Sequence, residues 1–274
     1  LPKGEFDDLP GFESKEVKVK SHDGVEVPLS IIYRAGIELD GKNPALIKGY
    51  GAYGSISSVY YNPLNIAWLE RGGVLAIAHI RGGGEYGKAW HHAGQKTTKP
   101  NTWKDFIACS EYLITSGYTS HELIAGQGGS AGGITIGRAI TERPDLFKAA
   151  IINVGDLDAV RMETTTNGVP NVYEFGTVTI EEEFKGLLAM SSYHHVKEGT
   201  AYPAVLLTHG MNDPRVDPWN SAKMTARLQA ATSSSNPVLF RVEYSAGHGI
   251  GSTRRQSLEG RADAWAFLLW QFGM

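Results

Sequence analysis

From about residue 44 onward, short apolar runs alternate with helical stretches, and this alternation restricts the fold more than any other feature of the chain. The runs "ALIKGY", "GVLAIAHI", "ELIAGQ", "FKAAIINVG", "PAVLLTHG" and "VLFRVEY" read as strands. Near-continuous apolar character is the pattern of strands covered on both faces. Between them lie "TWKDFIACSEYLITSG", closed by Gly117, and "AGGITIGRAITERP", stopped before Pro144. These read as helices, as do "PWNSAKMTARLQAAT" and "EGRADAWAFLLWQF". Strands separated by helices predict an α/β fold with a mostly parallel sheet and helices on both faces. The beginning differs. Lys15–Ser21 alternates apolar and charged residues, His22–Gly24 is a turn, and Val25–Tyr33 continues as a strand. An antiparallel hairpin is expected there. A chain of 274 residues suits one such domain, placed at residues 15–274. Residues 1–14 read as a lead-in or linker remnant. The stretch from Asp156 to Thr179 has no clean period and is read as a binding loop or lid.

Charge and cysteine content exclude several function classes. The formal net charge is −3, which lacks the basic excess of a nucleic-acid binder. The single cysteine, Cys109, cannot form a disulfide within the chain, and no cysteine-based zinc site is possible. It is expected to be buried on a helix face. No apolar run reaches the ~18 residues of a membrane span. The N-terminus lacks the basic and apolar regions of a signal peptide. The expectation is a soluble chain of the cytoplasm or periplasm. His91–His92 and His194–His195 are adjacent pairs and do not share a face as i, i+4 ligands would. His79 and His209 are expected to fill polar positions at the sheet rim. No metal and no cofactor is expected.

Ser130 stands in "GQGGSAGG", between the run "ELIAGQ" and a helical stretch. Gly128 and Gly132 complete G-x-S-x-G, the nucleophile-elbow pattern, which requires a strand before it and a helix after. The turn is tight enough that side chains two positions either side of the serine would collide with neighbours. The Ala131 N–H, at the helix start, faces the same space and suits a developing oxyanion. The alternatives are a purely structural glycine turn and a phosphate-binding turn. Neither G-x-G-x-x-G nor the Walker lysine is present.

In this fold the acid follows the serine, and the histidine comes last. "THGMNDPRVDPW" offers Asp213 and Asp217. Asp217 precedes Pro218 at a helix start and reads as an N-cap, so Asp213 is the expected acid. His248, between Gly247 and Gly249 in the loop after the last strand, is the expected base.

Together, "GYGAYG", "IRGGGEYGKAWHHAG", "GGSAGG", "RPDLFKAAI", "NDPRV" and "AGHGIG" resemble the catalytic domain of the prolyl oligopeptidase family. The resemblance covers nearly the whole chain and implies an α/β-hydrolase fold with a Ser130–Asp213–His248 triad. It further implies that the Tyr50 hydroxyl completes the oxyanion hole beside Ala131, and that Arg215 binds the peptide next to the scissile bond. Tyr53, Phe175 and Val216 fall where the family lines its apolar S1 pocket. Two departures bear against strict post-proline cleavage. Asn171 stands where prolyl-specific members carry a stacking tryptophan, and Asp156 stands where they carry an apolar residue. A basic P1 residue could meet Asp156 or Glu163. The family also places a β-propeller before this domain, and without it bulkier substrates and activated esters would reach the site. The implied function is a serine peptidase working through an acyl-enzyme on a peptide substrate. A carboxylesterase with the same triad and a non-catalytic binding domain are the alternatives.

Overall fold

In the computed structural model, residues 11–60, 62–249 and 253–274 are described. The strands are β1 (Phe12–Lys20), β2 (Glu26–Arg34), β3 (Ala45–Lys48), β4 (Val74–Ala78), β5 (Ile124–Gly129), β6 (Ala149–Asn153), β7 (Ala204–Gly210) and β8 (Val238–Glu243). The helices are α1 (Pro63–Leu69), α2 (Lys88–His92), α3 (Pro100–Thr115), α4 (Gly132–Glu142), α5 (Val172–Phe175), α6 (Glu181–Met190), α7 (Ser192–His195), α8 (Trp219–Ala231) and α9 (Arg254–Gln271). The sheet order is β1-β2-β4-β3-β5-β6-β7-β8. Pairs β1–β2 and β2–β4 are antiparallel, and the rest are parallel. This is the α/β-hydrolase arrangement, with the expected hairpin at one edge.

Two apolar clusters flank the sheet. One joins Ile47, Ile152 and Val205 to Phe106 of α3, Ile136 of α4 and Leu228 of α8. The other joins Leu46, Ile151 and Leu206 to Trp68 of α1 and Phe267 of α9. Successive residues of one strand thus serve opposite faces, and burial on both faces explains the continuous apolar runs. The hairpin, whose outer strand is mostly exposed, is tied to this core by charge. Arg81, only 4% exposed, pairs with buried Asp105 at 2.6 Å and with Asp23 of the hairpin turn at 2.5 Å.

Several boundaries differ from the sequence reading. β1 begins at Phe12, inside the stretch read as lead-in, because Phe12 already pairs with Arg34. α9 begins at Arg254, upstream of "EGRADAW", where Thr253 and Gln256 close a capping box. Helices α1 and α6 carried unused signals: Asn62 caps α1 ahead of Pro63, and Glu181–Glu183 fill the first turn of α6. The aperiodic Asp156–Thr179 stretch consists of short helical turns. Its near end is pinned, since Asn220 Oδ1 accepts from Asp158 N at 3.2 Å and Asp158 pairs with Lys223. Cys109 is fully buried, and burial pushes its thiol well up. Among the described residues no helix is long and apolar enough to cross a membrane.

Candidate active site

The residues singled out from sequence lie mostly past the C-terminal ends of strands. Tyr50 follows β3, Ser130 follows β5, Asp156 follows β6, Asp213 follows β7 and His248 follows β8. Strands β3 and β5 are sheet neighbours, and the chain leaves them in opposite directions along the sheet. Such a reversal opens a crevice beyond the strand ends.

Ser130 has φ of +54°, a left-handed conformation that costs a non-glycine residue energy. The glycines around it make this possible. A Cβ on Gly128 would lie 2.6 Å from the Gly132 carbonyl and 2.9 Å from that of Gly49. One on Gly132 would lie 2.9 Å from the same Gly49 oxygen. The crowding therefore comes from the start of α4 and the residue after β3. The turn is held by Ser130 N donating to Asn153 O at 2.9 Å and by Asp156 N donating to Ser130 O at 3.0 Å. Among the described residues Ala131 N donates to no backbone carbonyl in this turn. Burial raises the Tyr50 phenol, the Asp156 carboxyl adds to this, and the nearby Ser130 side chain lowers it.

Asp213 is the best-connected group of the site. Its Oδ1 accepts from Arg215 N at 2.9 Å and Val216 N at 3.0 Å. Its Oδ2 accepts from His248 Nδ1 at 2.6 Å. A second imidazole, which the sequence placed only at the sheet rim, also reaches Oδ2. His209 Nε2 lies 3.2 Å away and donates to Val216 O at 2.9 Å, while Ser221 Oγ donates to His209 Nδ1 at 2.7 Å. The two acceptors at Nε2, the Val216 carbonyl and the Asp213 carboxylate, select the tautomer with its proton there, and the serine hydroxyl rotates to donate to Nδ1. Burial raises the Asp213 carboxyl, but the two imidazoles and two amides outweigh it and hold the group well below the usual range. Asp217 has no such surroundings. Its carboxylate accepts from the Trp219 indole at 3.2 Å, and no side-chain cap is made at the start of α8. The expected N-cap is therefore absent; the Asp217 carbonyl, not its side chain, accepts Asn220 N in the first turn. No hydrogen bond joins Ser130 Oγ to His248 among the described residues. Catalytic contacts of this kind often close only on substrate binding.

The expected pocket residues Tyr53, Asn171 and Phe175 come together. Tyr53 and Phe175 meet edge to face at 5.4 Å, and Tyr53 Oη donates to Asn171 Oδ1 at 2.9 Å. Beneath them lies a buried group that sequence reasoning missed. Glu174 accepts from Tyr53 N at 2.9 Å and from His91 Nε2 at 2.6 Å, and Lys99 Nζ donates to Gly51 O at 2.5 Å. Lys99 is fully buried, and burial lowers its ammonium to about 8. Together they set the path of "GYGAYG". Glu163 is occupied elsewhere, accepting from Thr177 Oγ1 at 2.8 Å and Val178 N at 3.0 Å. Two neutral donors thus already hold its carboxylate. Asp156 is 6% exposed and its carboxyl accepts no hydrogen bond among the described residues. Burial pushes it up to about 7, helped by Asp213 and opposed by His248, His209 and Arg215. Val216 is buried in the acid loop. The Arg215 side chain is exposed at the mouth and makes no ion pair among the described residues.

Comparison with known proteins places this geometry in a family. The sequence profile described as the prolyl oligopeptidase family matches residues 60–274. The chain belongs to the prolyl oligopeptidase family. It is 42% identical to the prolyl endopeptidase of Elizabethkingia meningoseptica over 96% of this chain and 37% of that protein. A solved structure from a study of two prolyl endopeptidases superposes with a TM-score of 0.94 at 37% identity, covering 97% of this chain and 40% of that one. Oligopeptidase B from Leishmania major superposes at 0.92 with 29% identity, covering 98% and 38%. The chain thus spans well under half the length of the prolyl oligopeptidase relatives it matches. These relatives bear the names of peptidases, which does not favour the esterase alternative.

Proposed function

We propose that this chain is the catalytic domain of a serine peptidase of prolyl oligopeptidase type. The observation that carries this reading is the 2.6 Å pair between His248 Nδ1 and Asp213 Oδ2, placed beyond the same C-terminal strand ends as a left-handed Ser130. In the proposed reaction Ser130 Oγ attacks the scissile carbonyl carbon, and His248 Nε2 takes the hydroxyl proton. Asp213 holds the ring by its Nδ1–H and stabilises the imidazolium. The Ala131 N–H and the Tyr50 hydroxyl stabilise the oxyanion. Collapse breaks the C–N bond, and His248 delivers its proton to the leaving amine. Water then attacks the acyl-enzyme by the same route, releasing the acid and restoring Ser130. Arg215, unpaired at the mouth, offers planar donors to a substrate carbonyl. Tyr53, Phe175 and Val216 form an apolar P1 pocket, with Asp156 and Asn171 as its polar members. A β-propeller that restricts access in the full-length protein is part of the same proposal, supported by the relatives' greater length.

A fluorophosphonate probe tests the nucleophile: it should label the chain and fail on Ser130→Ala. Labelling of the variant would overturn the assignment. Peptidyl-Pro and peptidyl-Arg amides, run beside a p-nitrophenyl ester, test the substrate class. Ester turnover with no amide turnover would overturn the peptidase reading.

A further inference from the structure

The strand that leads to Tyr50 ends on Lys48, a half-buried cation with no ion pair among the described residues. Lys48 is the last residue of β3 and lies on the same face as Leu46, towards α1 and α9. There the apolar layer gives way to a cavity of about 330 Å³. Lys48 and Arg261 of α9 line it, together with Gln127, Asn153 and Asn65, and among the described residues no carboxylate does. Gln127 and Asn153 form part of a polar row along the strand ends. Gln127 Nε2 donates to Asn153 Oδ1 at 3.3 Å, and Asn153 Nδ2 donates to Thr208 Oγ1 at 2.7 Å. Burial lowers the Lys48 ammonium to about 8, and the like charge of Arg261 lowers it further. Asn65 Oδ1 is also buried without a donor.

A half-buried ammonium facing a second cation across a cavity is favoured by an anion that joins them. An unpartnered carbonyl oxygen beside it calls for a donor. A small oxyanion that carries a hydroxyl group meets both needs. We propose that this cavity is an anion-binding site that takes a small oxyanion between Lys48 and Arg261. The cavity borders the proposed hydrolytic site, since Gly49, Tyr50, Gly128 and Gly129 also line it, but its cations take no part in that chemistry. It lies directly before Gly49–Tyr50, so its occupant bears on the segment that carries the Tyr50 phenol.

The test is the thermal unfolding midpoint of the 274-residue chain at constant ionic strength, with chloride replaced stepwise by inorganic phosphate or by acetate. A saturable rise of roughly 5 °C is expected at high occupancy. A response to phosphate alone assigns a hydroxyl-bearing phosphate ligand; a response to acetate as well assigns carboxylates too. Lys48→Met should raise the midpoint in chloride, because a half-buried charge facing Arg261 is removed, and should abolish the response. Arg261→Gln should weaken it, and this variant carries the test if Lys48→Met does not fold. An unsaturable response, an equal response in both variants, or no response to either anion would overturn the site. None of these outcomes depends on activity, so failure here leaves the peptidase reading to its own tests.

Discussion

Two aspartates follow neighbouring strands of the same sheet, Asp156 after β6 and Asp213 after β7, and both are 6% exposed. Their protonation nevertheless diverges. Asp213 accepts three hydrogen bonds, has His209 Nε2 at 3.2 Å, and is held well below the usual carboxylate range. Asp156 accepts none among the described residues and is pushed up to about 7. Burial alone raises both groups, so the donors decide the sign. One carboxylate stays ionised to support an imidazolium. The other is poised to be neutral or charged near neutral pH, in the proposed P1 pocket.

The largest expected effect separates these two positions. Asp213→Asn should lower kcat/KM by roughly 10⁴-fold, the scale of the acid's role in serine protease triads. Asp156→Asn should stay within about tenfold on a peptidyl-Pro amide, the scale of one pocket contact. Steady-state kinetics on both variants checks this, and equal losses would erase the distinction. Next comes the second imidazole. His209→Leu removes a donor to an ionised group and should lower kcat roughly 10- to 100-fold with little change in KM. His209→Gln, which keeps an N–H, should recover part of the loss. A similar loss in both variants would make His209 a packing residue only.

A smaller effect appears in the pH dependence of specificity. Asp156 lies raised from 3.8 to about 7, so it is neutral below that value and charged above it. The ratio of kcat/KM for peptidyl-Arg over peptidyl-Pro should therefore rise with pH through about 7 and be flat in Asp156→Asn. A ratio that is flat in the unaltered chain would mean that Asp156 does not face the P1 side chain. The smallest effect belongs to Asp217→Asn, which should change kcat/KM by less than about twofold. Its carboxylate meets only the Trp219 indole, and surface changes of this kind are usually nearly neutral. A large loss there would move the acid from Asp213.

The parts of this site that were legible in the sequence are those encoded locally. "GQGGSAGG" specifies its own turn, because the glycines that a Cβ would block are within two residues of Ser130. The apolar runs identified the strands because burial on both faces leaves a continuous signature. The acid was legible through chain order and through the helix start beside Asp217, although that start proved not to be a side-chain cap. His209 was not legible, since a histidine ending a strand looks the same whether it touches solvent or Asp213. The Glu174–His91–Lys99 group is spread over three elements and has no spacing to recognise. Glu163 and Asp156 looked equivalent as partners for a basic residue until Glu163 was found bound to Thr177 and Val178.

The sequence by itself determined the strands, the glycine turn at the serine and the chain order of the candidate triad, because short motifs and their order along the chain carry these. Only the tertiary structure decided which buried carboxyl is ionised, which second histidine holds it, and where Lys48 is left without an ion pair among the described residues. Those outcomes depend on distances between strand ends, and residues far apart in the chain set them.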